Sequence, residues 1–226
     1  MMLAEAFDLA LNGISRAAGG AYRSVKMEGV CKIDGDVKAE DMAVSGVGKV
    51  YGGVEARTFV AAGRVTVAGP LTADRVRLEG QFTVRGGLYA DKAVLDGALK
   101  VEGNCEAEEI VLNGWIRVGG MLNAGRIDIG LIGASKAQEI GGSSIEVKRA
   151  ERGAWAHLLQ RVIPAFDPAL EARMIEGDEV RLEATAAAVV RGDRVVIGAG
   201  CSIGRVEYKT ELIVHPNASV KERVRV

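Results

Sequence analysis

The fold is decided by GQFTVRGGLYADKAVLD, residues 80–96, followed directly by GALKVEGNCEAEEIVLN, residues 97–113. Placed one above the other, the two segments share glycine at Gly80/Gly97 and Gly86/Gly103, alanine at Ala90/Ala107, and apolar residues at Val84/Val101 and Leu95/Leu112. Working outward, the same 17-residue period holds from Gly29 through Gly46, Gly63 and Gly80 to Gly114, and from Gly35 through Gly52 and Gly69 to Gly120. Ala39, Ala56, Ala73, Ala90, Ala107 and Ala124 form a third invariant column. One chosen column of six would be all glycine by chance about 5 times in a million, so the period is an architecture and not a coincidence.

The remaining columns say what each unit is. Ile33, Val50, Val67, Val84, Val101 and Val118 recur in phase, as do Val37, Val54, Leu71, Leu88, Cys105 and Leu122. Met42, Phe59, Val76, Ala93, Ile110 and Ile127 follow, with Val44, Ala61, Leu78, Leu95, Leu112 and Ile129 two residues on. Spacing of two is the period of a strand, and the single jump of three after the alanine is a corner. Three short strands and their bends fill the unit and leave no room for a helix. The expected fold is therefore all-β: a parallel β-helix in which each unit is one coil and each column stacks on itself about 4.8 Å apart. Handedness does not follow from this arithmetic.

Composition agrees. Glycine numbers 30 of 226 residues and proline only 4, so the glycines belong to regular structure and not to a linker. No apolar run reaches the length of a membrane-spanning helix, and no secretory signal pattern is read at the N-terminus. Cys31, Cys105 and Cys201 are odd in number and far apart, which suits reduced, buried residues in a cytoplasmic protein. A net charge of −1 gives no electrostatic reason to expect nucleic acid as the main partner.

Outside residues 24–148, the regular coils, the pattern changes. Val25 and Met27 fall in phase as a partial first coil. In residues 1–23, Leu3, Phe7, Ala10, Ile14 and Ala17 recur every three to four residues and predict a tail or amphipathic helix. Ile140, Ile145 and Val147 suggest one further coil of about 18 residues. Residues 149–172, with Trp155, Leu158, Leu159 and Val162 ahead of Pro164 and Pro168, predict a helical insert. Val180/Leu182, Val195/Ile197 and Leu212/Val214 then predict irregular coils and a C-terminal tail over residues 173–226.

Candidate chemistry is sparse, and no enzyme is expected. The histidines are His157 and His215, and a hexapeptide-type acyltransferase would need one as a base beside the Ile197–Gly204 run. Asp34, Asp36, Glu40 and Asp41 lack the pattern of a calcium loop, and no metal or other cofactor is expected. The outward column Lys32, Lys49, Thr66, Thr83, Lys100 and Arg117 is a solvated face or a weak site for an anionic partner. Val94 and Val111 are outward apolar positions, covered by the N-terminal or the inserted helix or else forming a lateral contact between molecules, and a further alternative is an adaptor that holds a partner through them without polymerising. The ends carry the larger argument, because each end of a β-helix exposes unpaired backbone and a slice of core. The expected polymerisation interface is Val25, Met27, Ile33 and Val37 at one end and Leu212, Val214 and Val220 at the other.

The coils Gly80 to Ala90 and Gly97 to Ala107 resemble those of bactofilins, polymer-forming cytoskeletal proteins of bacteria. The run Ile175-Glu176-Gly177-Asp178-Glu179-Val180 with Val190-Arg191-Gly192-Asp193-Arg194-Val195 is similar to the longer, two-part members of Gram-positive bacteria. The resemblance covers roughly residues 24–222, and it implies a right-handed β-helix and non-polar filaments formed end to end without nucleotide. It further implies a cytoplasmic scaffold for cell shape, wall synthesis or motility, a paralogue as co-polymer, and membrane association through residues 1–15.

Overall fold

The computed structural model describes residues 7–150 and 169–226, and its described residues contain strands and turns but no helix. Contacts divide the chain into two compact units, Met1–Ala107 and Glu108–Val226, and both are parallel β-solenoids.

In the first unit, β1 (Leu9–Val50) runs through several bends without a break, followed by β2 (Val54–Val67), β3 (Leu71–Val84) and β4 (Leu88–Val101). Each strand pairs with the next at the 17-residue offset: Val37 with Val54, Val54 with Leu71, and Leu71 with Leu88. The sequence columns are therefore physical stacks. Their inward members are buried, and neighbouring columns compensate in volume. Phe59 sits beside Ala61 in one coil, whereas Ala93 sits beside Leu95 two coils on, so the core keeps close packing without a constant residue.

The glycine column is a steric requirement. Gly46 has φ +108°, and a Cβ there would lie 2.5 Å from the carbonyl oxygen of Gly29 in the coil before. Only glycine combines that backbone conformation with so close a stack. At the next corner a Cβ on Gly69 would lie 2.6 Å from the amide nitrogen of Gly53, so close approach alone excludes a side chain there.

Residues 9–24 do not form the helix predicted for the N-terminal segment. They are strand, stacked as a coil of their own: the Arg23 amide donates to the Phe7 carbonyl at 2.9 Å, and the Cys31 thiol meets the Leu11 carbonyl at 3.6 Å. The physical reason is that the coil of Val25 to Val37 otherwise leaves a row of backbone donors and acceptors open, and a further strand satisfies them. Residues 1–6 lie outside the described residues.

The second unit contains most of β5 (Cys105–Val118), then β6 (Met121–Leu131), β7 (Ser135–Lys136), β8 (Glu139–Arg149), β9 (Leu170–Leu182), β10 (Thr185–Ile197), β11 (Ser202–Val214) and β12 (Ser219–Arg225). Leu122 pairs with Ile140, which is the expected coil of 18. Later coils tighten to 15 residues, as in Leu170 with Thr185, and return to 17, as in Ser202 with Ser219. A register shift between Gly192 and Arg194 takes up one residue of that change.

Two sequence expectations are corrected here. The insert assigned to residues 149–172 is narrower, because Arg149 closes β8 and Leu170 opens β9; residues 151–168, with Trp155 and His157, lie outside the described residues. The C-terminal tail is also a strand: β12 pairs with β11 from Ser219 to Arg225.

Candidate functional site

Charged side chains of successive coils pair with one another. Arg57 holds Asp41 at 3.1 Å, and in the second unit Arg191 bridges Glu176 at 3.2 Å and Glu207 at 2.7 Å, joining three successive coils. The Arg191 guanidinium holds the Glu207 carboxyl below its ordinary range. Such exposed pairs contribute little each, but they set the register of charged columns.

The acidic cluster of the first unit is engaged in the same way. Asp34 accepts both arms of Arg16, which lowers its pKa, and the Asp36 carboxylate accepts the Gly53 amide at 2.7 Å. Among the described residues no group of three potential metal-ligating side chains converges. An open groove of about 610 Å³ runs past Gly20, Asp36, Lys38, Gly53, Pro70 and Thr72. Its charged groups are already taken up, Asp36 by the Gly53 amide and Lys38 by Glu55.

The thiols are interior. Cys31, Cys105 and Cys201 are free and buried, and burial pushes the Cys105 thiol up to about 12. His215 is exposed, and its Nδ1 accepts the Asn217 amide at 3.0 Å, which fastens the turn between β11 and β12. The Ile197–Gly204 run ends β10, turns, and begins β11.

The proposed ends separate into two cases. Val25, Met27, Ile33 and Val37 are between 0% and 2% exposed, because residues 9–24 stack against their coil. They are core residues, and a contact surface cannot include them without removing that first coil. The first coil itself turns small side chains inward at half-buried Ser15 and Ala17.

At β12 the position is the reverse. Leu212, Val214 and Val220 are half-buried, and Tyr208, which the sequence columns did not single out, joins them. Strand β12 is last in the sheet order, with β11 on one side and no strand on the other among the described residues. Val220 stacks on buried Ile203, whereas Arg223 stacks on buried Val206 and Val224 on the outward Glu207, so Val220 is the apolar side chain that β12 lays on the core slice. Val94 and Val111 are half-buried outward residues in the first and second unit respectively. Among the described residues, no helix is long and apolar enough to cross a membrane.

The chain is 44% identical over 107 residues to the uncharacterized protein YhbF of Bacillus subtilis, a match covering 47% of this chain and 42% of YhbF. It is 38% identical over 107 residues to the uncharacterized protein YhbE of the same organism, covering 47% of this chain and 43% of YhbE. The match thus spans less than half the length of either relative. No family model matches the chain, and no solved structure matches it.

Proposed function

We propose that this chain is a self-assembling structural scaffold of the bactofilin kind, whose copies join through the β12 end of the second unit. The observation that carries this reading is the half-exposed core slice of Tyr208, Leu212, Val214 and Val220 beside an unpaired strand edge. Water leaves both the apolar atoms and the edge amides unsatisfied by protein, and a second copy supplies partners for both. Eight such side chains across a joint of two ends, at roughly 1 kcal/mol each for the half still exposed, offset association costs of about the same size. Assembly on this account is concentration-dependent and needs no nucleotide. The stacked columns of the first unit suit the same role, since a scaffold needs a stiff, regular body.

The test is a pair of variants, Val214→Asp and Val220→Asp. A carboxylate in the slice desolvates at a joint and not in a free end, so both variants are expected to abolish large particles while far-ultraviolet circular dichroism keeps its β signal. Retention of wild-type particle size by both variants removes β12 from the interface. A client-holding adaptor gives single chains from the outset, and an acyltransferase gives a closed trimer whose activity depends on His215.

A further inference from the structure

The first coil carries a chemical feature that is independent of the β12 end. Asparagine is followed by glycine twice in the chain, at Asn12-Gly13 and at Asn113-Gly114. Such a pair can modify itself. The glycine amide nitrogen, after giving its proton to water, attacks the asparagine side-chain carbonyl carbon; a C–N bond forms, and the side-chain nitrogen takes up a proton and leaves as ammonia. Water then opens the resulting succinimide to aspartate or to isoaspartate, in which the main chain runs through one additional methylene. Glycine favours the ring because no Cβ obstructs it.

The structure sets the two pairs apart. Asn12 and Gly13 are exposed, and a Cβ on Gly13 would meet nothing within 4 Å, whereas one on Gly29 or Gly46, in the same column, would lie 2.5 Å from a carbonyl oxygen of the coil before. Gly13 has that room because its coil is the first, with no strand on its outer side among the described residues. Gly114 is buried and its carbonyl accepts the Ile132 amide at 2.8 Å, so ring closure there waits for the coils to part. A second difference lies three residues on. The Ser15 hydroxyl donates to the Asn12 carbonyl oxygen, whereas the residue in that place after Asn113 is Ile116, which has no side-chain donor. The Asn12 carbonyl oxygen takes up negative charge when the Gly13 amide loses its proton, so the hydroxyl stabilises the attacking form as a donor in an oxyanion hole does.

We propose that Asn12-Gly13 is a self-modification site of the folded protein, yielding aspartate and isoaspartate, and that the isoaspartyl form loosens the first coil over Cys31. The Cys31 thiol meets carbonyls on both sides of Asn12, that of Leu11 at 3.6 Å and that of Gly13 at 4.0 Å. An added methylene between those two carbonyls, with a new carboxylate beside them, breaks the match that buries the thiol. Buried Leu11 on one side of Asn12 and half-buried Ser15 on the other both turn inward, and the inserted atom moves one against the other.

The experiment ages the native full chain in mildly alkaline buffer, beside a sample aged in urea. Asparaginyl, aspartyl and isoaspartyl peptides are separated and weighed by mass spectrometry, and reactive thiols are counted with a disulfide reagent. In the native protein Asn12 is expected to convert about tenfold or more faster than Asn113, and in urea the two are expected to convert alike. Ser15→Ala is expected to slow the native conversion of Asn12 about threefold and to leave the urea rate unchanged. Chains with isoaspartate at position 12 are expected to expose one thiol, mapping to Cys31, while Asn12→Gln aged alongside exposes none. An intact Asn12, or equal native rates at Asn12 and Asn113, overturns the proposal. A native Ser15→Ala rate equal to that of the parent overturns the part given to the hydroxyl. Isoaspartyl chains in which every thiol stays silent overturn the loosening of the coil.

Discussion

At the scale of single residues the fold rests on side chains that are absent. Gly46 is held at φ +108° with its α-carbon against the Gly29 carbonyl, so alanine there meets both a disfavoured backbone conformation and a backbone atom that has no rotamer to escape into. Gly46→Ala is expected to destabilise the first unit by roughly 2–4 kcal/mol in urea unfolding. A substitution that left the midpoint unchanged would show that the coils can separate at that corner. The cysteines give a second residue-scale expectation. All three are buried, and burial pushes the Cys105 thiol up to about 12 and raises that of Cys201, so none offers an accessible thiolate to a reagent. The native protein is expected to resist a disulfide reagent near pH 8 and to release three equivalents only on denaturation. Cys105 was legible from its column, because it stands where neighbouring coils place Leu88 and Leu122 and shares their burial. Partial exposure was not legible, since it depends on whether one more coil covers the residue. For that reason Val25, Met27, Ile33 and Val37 were misplaced at an end.

At the scale of the coil, register is the organising quantity. Strands β2, β3 and β4 pair at a constant offset, so removing residues 71–87 joins Pro70 to Leu88 in phase and preserves every column. That deletion is expected to keep the β-sheet spectrum and cooperative unfolding, whereas removing residues 71–78 inverts inward and outward positions and is expected to abolish both. Equal behaviour of the two deletions would contradict a solenoid. The first coil, residues 9–24, escaped the sequence reading for a related reason. Its offset is 16 residues, as in Gly13 beneath Gly29, which puts buried Leu11 out of phase with the 17-residue columns, and Ser15 and Ala17 on the same inward side are too small to register as hydrophobic. That coil is fastened by Arg23 and Ser24 to Asp8, whose carboxyl is lowered to about 2, chiefly by the hydrogen bond from Arg23. A carboxyl lowered in the folded state supports the coil above its ordinary pKa near 3.8 and releases it as pH falls toward 2. Amide exchange of residues 9–24 is therefore expected to quicken first on acidification in that range, and Asp8→Asn to quicken it already at neutral pH. Uniform exchange across the unit at low pH would argue against the staple.

At the scale of the whole chain, β12 offers a half-exposed apolar slice and a free strand edge, whereas residues 9–24 place small side chains beneath the first unit. The sequence indicated that ends would matter and named Leu212, Val214 and Val220. Tyr208 completes that surface, standing over Gly192 of the coil before. The most direct measurement is light scattering of the purified chain across a concentration series, without nucleotide or metal, with negative-stain electron microscopy of the same samples. The account expects particle mass to climb with concentration from that of one chain to that of two joined at their β12 ends, elongated pairs on the grids, and return to single chains in Val220→Asp. A concentration-independent mass equal to one chain, with Val220→Asp indistinguishable from the parent, would contradict it.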